Sequence, residues 1–223
     1  MKFFDTLKQE TTQQRAELFA APIINDALHG NVTLEQYVAF LTQAYHHVKH
    51  TVPLLMAVGA SLPEEYEWLR EAVAEYITEE MGHQEWILND IAACGYNKEE
   101  ARNSTPSQAT EVMVSYAYDT IARVNPMGFF GMVHVLEGTS VSLADNAADT
   151  IRNALSLPSK AFSYLYSHGS LDVEHVKFFE DLMNLLKSEK DQARIIHSAK
   201  VFYKLYGDIF RSLNFDSQVS LAA

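Results

Sequence analysis

The sequence predicts an all-α fold, a multi-helical bundle of about seven to eight helices in a single domain that spans residues 1–223. Apolar residues recur with the period of an amphipathic helix over long stretches, whereas strand-like alternation is scarce. The nine glycines and six prolines lie mostly where these stretches meet. Hydrophobic residues make up 48% of the chain, which is enough to build one sizeable core.

Three helices are predicted in the first half of the chain. The first amphipathic stretch covers residues 3–21. A second helix follows Thr33, whose hydroxyl can cap it, and Pro53 should kink or end it. The third helix covers residues 63–94 and is the longest that the pattern predicts, because glutamates suit its first turn and a glycine follows its last residue.

The second half of the chain begins with a polar connection at residues 96–107. A further break is expected at residues 156–159, where apolar periodicity stops. The helices predicted around these breaks cover residues 108–123, 127–147, 160–167, 170–187 and 189–213.

Charge and cysteine content exclude several classes of protein. The chain has 17 basic and 29 acidic residues, so its net charge of -12 would repel a nucleic-acid backbone. Cys94 is the one cysteine, so no intramolecular disulfide can form and secretion gains no support. The amino terminus becomes polar too early for a signal peptide, and no run of about 18 apolar residues could span a membrane. We therefore expect a cytoplasmic protein.

The most informative motif lies near the carboxyl end, in the segment SHGSLDVEHVKFF. At about 100° per residue, His168, Asp172 and His175 fall within roughly a 60° arc on one face of a helix. Imidazole nitrogens and a carboxylate on one stripe suit Fe(II), Mn(II) or Zn(II). The alternative interpretation is a capped helix start with two solvated histidines.

A second motif, EEMGH, lies within the third predicted helix. His83 follows Glu79 and Glu80 by about one turn, which is the half-site that dimetal bundles build from facing helices. The nearby apolar stripe should turn His83 at least partly toward the core. A charged surface face is the alternative interpretation for the glutamates.

Glu137 is the third signal, because it is a carboxylate within a strongly apolar helix. Burial of an unpaired carboxylate costs several kcal/mol, so Glu137 needs a proton, a metal or another cation. Lysine and arginine are absent from residues 124–149, and a metal is the simplest partner. His134, one turn earlier, is interpreted as an ordinary packed histidine.

The three motifs together resemble the heme-oxygenase-like metal oxidase superfamily, which also contains thiaminase II (TenA) and the pyrroloquinoline quinone biosynthesis protein PqqC. The similarity extends over residues 33–206, and HxxxDxxH is its most specific part. This resemblance implies a heme-oxygenase-like bundle that is often a homodimer. It also implies a nonheme iron centre, with two ions possible and Mn or Zn as alternatives, that uses O2 to oxidise a small organic substrate.

By this resemblance the metal ligands are expected to be Glu80, His83, Glu137, His168, Asp172 and His175. Glu137 and His175 are the expected catalytic residues. The oxidase pattern usually places its first glutamate seven residues before the histidine, where this chain has Tyr76. Glu79 or Glu80 could substitute from the next turn, and the sequence does not decide between them.

Two other functions remain open. One is a metal-free enzyme of the PqqC or TenA type, in which His46, His47 and His50 on the second helix could act and His46 or His50 would line an enclosed pocket. The TenA branch needs a nucleophilic cysteine, whereas Cys94 ends a helix and is interpreted as a small buried hydrophobe. Heme is disfavoured by the same resemblance, because true heme oxygenases place their axial histidine in the first helix, whereas the first histidine here, His29, is expected in a turn before Gly30. The other is a noncatalytic binding protein. The tyrosine at position 76, where the oxidase pattern has a glutamate, favours this alternative.

Overall fold

Helices dominate the structure, a computed structural model that describes residues 1–213, apart from the side chains of residues 168–173. Twelve α-helices and no strands occur in that range, which confirms the predicted all-α class. The helices are α1 (Phe3–Glu10), α2 (Thr12–Phe19), α3 (Pro22–His29), α4 (Leu34–Val48), α5 (Thr51–Ser61), α6 (Glu67–Glu80), α7 (His83–Ala93), α8 (Lys98–Asn103), α9 (Gln108–Asp119), α10 (Phe129–Leu155), α11 (Ser163–Leu185) and α12 (Glu189–Ser212). Short 3-10 turns occur at Glu64–Tyr66, Pro126–Gly128 and Ser159–Ala161, and a π-helical turn at Thr120–Val124.

The helix number exceeds the prediction for two reasons. The helices α3, α5 and α8 form where no separate helix was predicted, and α8 lies within the predicted polar connection at residues 96–107. In addition, two predicted helices are interrupted. The first stretch divides at Thr11 into α1 and α2. The predicted helix over residues 63–94 divides into α6 and α7 at Gly82, whose φ of 94° lies in the left-handed region that glycine adopts without strain. The longest helix is therefore α10, with 27 residues.

The predicted start of α4 is confirmed in detail. Thr33 accepts a hydrogen bond from the Gln36 N–H, and the Gln36 side chain accepts one from the Thr33 N–H. This reciprocal capping box satisfies two backbone donors at the helix start. Pro53 lies in the first turn of α5, where a missing N–H is tolerated, so it helps to begin a helix rather than to end one.

The carboxyl-terminal third contains two long helices instead of three. The backbone of α11 runs without a break across the gap predicted between residues 167 and 170. An internal glycine weakens a helix by about 1 kcal/mol but does not have to end it. The last predicted helix, residues 189–213, is confirmed as α12.

Helix α10 lies at the centre of the packing and contacts α3, α11 and α12. It packs directly against the α12 backbone at Gly131, where an added Cβ would lie 2.5 Å from the Ala199 nitrogen and 2.9 Å from the Ile195 oxygen. One continuous core includes buried residues from Phe3 to Leu213. None of the described helices combines the length and the apolar character that a membrane crossing requires.

Candidate functional site

The EEMGH motif forms the junction between α6 and α7 and not a continuous helical face. Glu79 and Glu80 end α6, Met81 and Gly82 form a turn, and His83 is the first residue of α7. The turn brings Glu80 Oε2 to 3.0 Å from His83 Nδ1. The predicted proximity of glutamate and histidine is thus present, but a turn creates it rather than helical spacing.

His83 faces the interior, as predicted. Its side chain is 3% exposed, and its ring stacks on Trp86 with the ring centroids 4.0 Å apart. The stacked indole and the Glu80 carboxylate fix the orientation of the imidazole from two directions. Glu80 is itself largely buried, with a side chain 11% exposed.

His175, on α11, joins the glutamates of two other helices. Its Nε2 lies 3.0 Å from Glu79 Oε2 on α6, and its Nδ1 lies 4.0 Å from Glu137 Oε1 on α10. When Nε2 donates its proton to Glu79, Nδ1 carries the lone pair on the side of Glu137. The two glutamates that the sequence could not rank therefore have separate partners, Glu79 with His175 and Glu80 with His83.

Tyr76 occupies the position of the missing first glutamate. It is 3% exposed, and its ring meets the edge of His175 with the ring centroids 5.7 Å apart. A second aromatic contact joins Tyr76 to Phe178 at 5.5 Å. The tyrosine is therefore a packed member of the site.

His134 is the ordinary packed histidine that the sequence predicted. Its ring lies among Phe4, Phe179 and Tyr203, and its Nε2 is 3.4 Å from the Thr11 hydroxyl. Burial lowers the pKa of His134 to about 4, so the imidazole is neutral at physiological pH.

The remaining predicted ligands, His168 and Asp172, have side chains outside the described residues. Within the described part of the chain, no group of three or more His, Cys, Asp or Glu side chains has the arrangement that holds a metal ion. Glu79 contacts Nε2 of the His175 ring and Glu137 lies nearest Nδ1, so the two carboxylates do not converge on one nitrogen. The described side chains thus form His–Glu pairs. His83 is paired with Glu80, and His175 with Glu79 and Glu137.

The donor types in these pairs fit a first-row divalent ion. Imidazole nitrogen and carboxylate oxygen are its usual ligands, and a ligating histidine commonly donates its other N–H to a carboxylate. The separation of 4.0 Å between His175 Nδ1 and Glu137 Oε1 is below the sum of two metal–ligand bonds of about 2.1 Å each. His175 and Glu137 could therefore share an ion.

A cavity of about 180 Å³, partly open to solvent, adjoins these pairs. Tyr76, Glu80 and Glu137 all line it, which places the candidate site at its wall. Aliphatic and aromatic side chains of α3, α4, α5, α10, α11 and α12 form most of the remaining lining. The arrangement can hold a small apolar molecule against a cluster of histidines and carboxylates.

The histidine that lines this cavity is His47, not His46 or His50 as the metal-free hypothesis expected. His46 instead accepts a hydrogen bond from the Lys49 ammonium at Nδ1 (3.2 Å) and contacts the Ser104 hydroxyl through Nε2 (2.8 Å). With Nδ1 as acceptor, Nε2 must be the donor, so His46 does not activate Ser104 as a nucleophile. His50 contacts the Tyr118 hydroxyl at 3.1 Å.

Cys94 is buried beside the carboxyl end of α7, as predicted for a small hydrophobe. Burial, and secondarily the nearby Asp90, raises the pKa of the Cys94 thiol to about 11. A thiolate nucleophile is therefore disfavoured at this position.

Sequence reasoning missed two elements of the site. The first is the cavity, whose lining comes from distant segments that no local pattern connects. The second is Asp90, a fully buried carboxylate on α7 that hydrogen bonds to the start of α11. The only available signal for Asp90 was an acidic residue in the apolar run ILNDIAAC.

Several solved structures share the fold. A domain of unknown function with a heme oxygenase-like fold from Shewanella denitrificans OS217 superposes with a TM-score of 0.84 and 24% identity, over 96% of this chain and 92% of that one. A TenA homolog from Pseudomonas syringae pv. tomato DC3000 gives 0.79 and 12%, over 94% and 91%. Heme oxygenase-1 from the cyanobacterium Synechocystis, solved with heme, gives 0.74 and 14%, over 96% and 93%.

These similarities confirm the predicted heme-oxygenase-like fold. A comparison with curated protein sequences gives no match. A family profile described as iron-containing redox enzyme matches residues 38–207, which is most of the chain and includes EEMGH, Glu137 and His175. The chain therefore belongs to the family of iron-containing redox enzymes.

Proposed function

We infer that this protein is a nonheme iron oxidase or oxygenase that uses O2 to oxidise a small organic molecule bound in its interior. The observation that carries the proposal is the meeting of His175 with Glu79 and Glu137, from three helices, beside an apolar cavity. The family match supports iron, and the donor types of the site are those that iron prefers.

In this proposal the ligands are His83, His175, Glu80 and Glu137, with His168 and Asp172 completing the set. Iron bound there would activate dioxygen, and oxidation of the substrate would supply the electrons for its reduction. Two ions are proposed, because the His83–Glu80 and His175–Glu137 pairs lie on different helices.

Each described residue has a defined task. Glu79 accepts the Nε2 proton of His175 and so holds the imidazole with Nδ1 toward Glu137. Glu80 Oε2 lies 3.0 Å from His83 Nδ1, close enough for these two atoms to bind one ion through metal–ligand bonds of about 2.1 Å each. Tyr76 packs against His175 and closes the site on the cavity side, where its hydroxyl can donate a proton to a bound substrate.

A porphyrin is a poor alternative source of iron chemistry for this chain. The cavity volume of about 180 Å³ corresponds to about six water molecules at about 30 Å³ each, and a porphyrin is larger. His29, the first histidine of the chain, is the last residue of α3, whereas a turn was predicted there. It is exposed and contacts the Asn25 carbonyl at 2.8 Å, outside the cavity lining.

Metal analysis of protein loaded anaerobically with Fe(II) is the direct test. Wild type should retain stoichiometric iron, with an anomalous signal at the iron edge between α7, α10 and α11. His175→Ala should lose it, and Glu79→Gln should weaken iron binding by about tenfold through loss of the carboxylate that orients His175.

Glu75→Gln is the matched control, because Glu75 is exposed one turn earlier on the same helix. It should retain iron like the wild type. A wild-type protein without stoichiometric iron would reject the proposal.

A metal-free enzyme of cofactor metabolism is the second candidate. The buried His47 in the cavity wall supports it, because a histidine there can accept or donate a proton to a bound ligand. This function would be unaffected by chelators and abolished by His47→Ala, whereas the iron proposal expects chelators to abolish activity.

A further inference from the structure

A surface crevice lies between α12 and the π-helical turn at Thr120–Val124. It has a volume of about 320 Å³, and the residues that line it are Val124, Asn125, Lys190, Ala193, Arg194 and His197. The described residues that line this crevice and those that line the cavity beside the candidate site have no member in common. Because π-helical turns occur frequently at functional sites, the crevice is a candidate for a second ligand.

The ionisable groups of the crevice are all basic. Lys190, Arg194 and His197 are spaced four and three residues apart, so they share one face of α12. No aspartate or glutamate occurs among the described residues of the lining. Asp191 is a sequence neighbour, but its carboxylate already accepts hydrogen bonds from two other side chains. A chain with a net charge of -12 therefore concentrates positive charge at this place.

Arg194 has no carboxylate partner in the part of the chain that the structure describes. Its Nε is buried without a hydrogen-bond acceptor, and its Nη2 lies 3.4 Å from the Tyr116 hydroxyl, which is a long contact. The other arginines all have an oxygen partner: Arg70, Arg102, Arg123, Arg152 and Arg211 pair with carboxylates, and Arg15 donates to the Ser142 hydroxyl. Since removal of an unpaired charge from water is costly, the half-buried Arg194 favours an anionic ligand.

Two buried hydroxyl groups lie close to Arg194. Thr120 and Ser198 are fully buried, and neither hydroxyl oxygen has a hydrogen-bond partner within residues 1–213 as described. Gly128 lets the three side chains converge, because an added Cβ there would lie 3.1 Å from Arg194 Nε and 3.2 Å from Ser198 Oγ and would overlap the Thr120 methyl group. These hydroxyls do not satisfy Arg194 Nε, so its acceptor has to come from outside the chain.

The shape and charge of the crevice favour a phosphate group. The guanidinium of Arg194 can bind two oxygens of one oxyanion, and the Lys190 ammonium adds a second positive charge that suits the double charge of a phosphate. Val124, with 54% of its surface exposed, and Ala193 give the crevice an apolar side. We propose that this crevice binds a phosphate group, free or carried by a small organic molecule, through Arg194 and Lys190. The proposal does not depend on iron.

An NMR titration of the full, isotope-labelled chain in excess chelator tests this proposal. Inorganic phosphate, at an ionic strength held constant with sodium chloride, should cause saturable shifts in the amide signals of residues 124–125 and 190–198. Absence of saturation would show that water alone serves Arg194 and would overturn the proposal. Phenyl phosphate is the second probe. Tighter binding of this compound would identify an organic phosphate as the ligand, and equal or weaker binding would identify free phosphate.

Substitutions of basic residues localise the site. Arg194→Gln should weaken phosphate binding at least tenfold, because the charge and the paired donors are both lost. Lys190→Gln should weaken it about threefold, because one partly screened charge is lost. Lys187→Gln is the matched control, since Lys187 is an exposed lysine outside the crevice lining, and it should bind phosphate like wild type.

The variants also provide the outcome that contradicts the site. Equal affinities of the Lys187 and Lys190 variants would mean that phosphate responds to overall charge and not to the crevice. If Arg194→Gln does not fold by circular dichroism, Arg194→Lys replaces it. That variant keeps the charge but loses the planar pair of donors, so a loss of about threefold is expected. Unchanged phosphate binding in a folded variant at position 194 would refute the role of Arg194.

Discussion

Asp90, on α7, caps the amino terminus of α11 through Ser163. One oxygen of its carboxylate accepts the Ser163 backbone N–H at 3.0 Å and also the Ser163 hydroxyl. The other oxygen accepts the Tyr164 N–H at 2.9 Å. Phe162, the residue before α11, provides no side-chain cap, so a residue from another helix does so. This link joins the helix that begins with His83 to the helix that carries His175.

Removal of this cap should destabilise the protein. We expect Asp90→Ala to lower the free energy of unfolding by about 2 kcal/mol, because two backbone donors lose their buried acceptor. Urea denaturation measures the loss, and hydrogen exchange of the Ser163 and Tyr164 amides should accelerate. Asn89→Ala, at the exposed neighbouring position, is the control and should change neither quantity. Unchanged amide exchange in Asp90→Ala would contradict the capping role.

Two glycines of α10 should respond in opposite ways to alanine. Gly131→Ala should cost about 1 to 3 kcal/mol, because the added Cβ would meet the backbone of α12. Gly138→Ala should stabilise by about 0.5 to 1 kcal/mol, because nothing lies within 4 Å of its added Cβ and alanine favours the helix. Thermal denaturation of both variants checks the prediction, and a loss of stability in Gly138→Ala would contradict it.

Tyr76→Glu should make stability depend more strongly on iron. The substitution places a carboxylate at a buried position beside His175, which costs several kcal/mol without a cation. Iron should offset this cost, so the rise in melting temperature on Fe(II) addition should be larger than in wild type. Tyr76→Phe keeps the ring without the acid and should behave like wild type. An equal response of the Glu and Phe variants would show that the carboxylate does not reach the metal.

His134 should make the protein less stable in acid. Burial lowers its folded-state pKa to about 4 from 6.5, so the unfolded chain binds a proton between these values while the folded chain does not. The stabilisation is complete above pH 6.5 and is lost as pH falls toward 4. We expect a loss of about 2 kcal/mol between pH 7 and pH 5 from this residue.

His134→Phe should reduce that pH dependence, as measured by urea midpoints at the two pH values. Its ring would still pack against Phe4 and Phe179. His197→Phe, at an exposed position, controls for the replacement of a histidine. If stability depends on pH in His134→Phe as strongly as in wild type, the effect comes from other groups. His46 is one of them, because burial also lowers its pKa to about 4.

Much of the fold follows from local pattern, and much of the site does not. Helical periodicity and the Thr33 cap predicted the all-α class and the start of α4 because both depend on residues close in sequence. The motifs also identified His83, Glu137 and His175 as candidates. Periodicity could not show the interruption at Gly82, because a single glycine is compatible with a helix interior or with a turn. The cavity and the Asp90 cap join residues distant in sequence and need the tertiary structure.

The turn between α6 and α7 offers a place to adjust the separation of two candidate ligands by engineering. Met81 is exposed, and an added Cβ at Gly82 would meet nothing within 4 Å, so extra residues could be accommodated there without displacing neighbouring helices. Lengthening this loop would move the Glu80 carboxylate relative to the His83 imidazole while leaving both helices intact. The length of this loop would then set the distance between the two ligands, and with it the size and the number of metal ions that the site can hold.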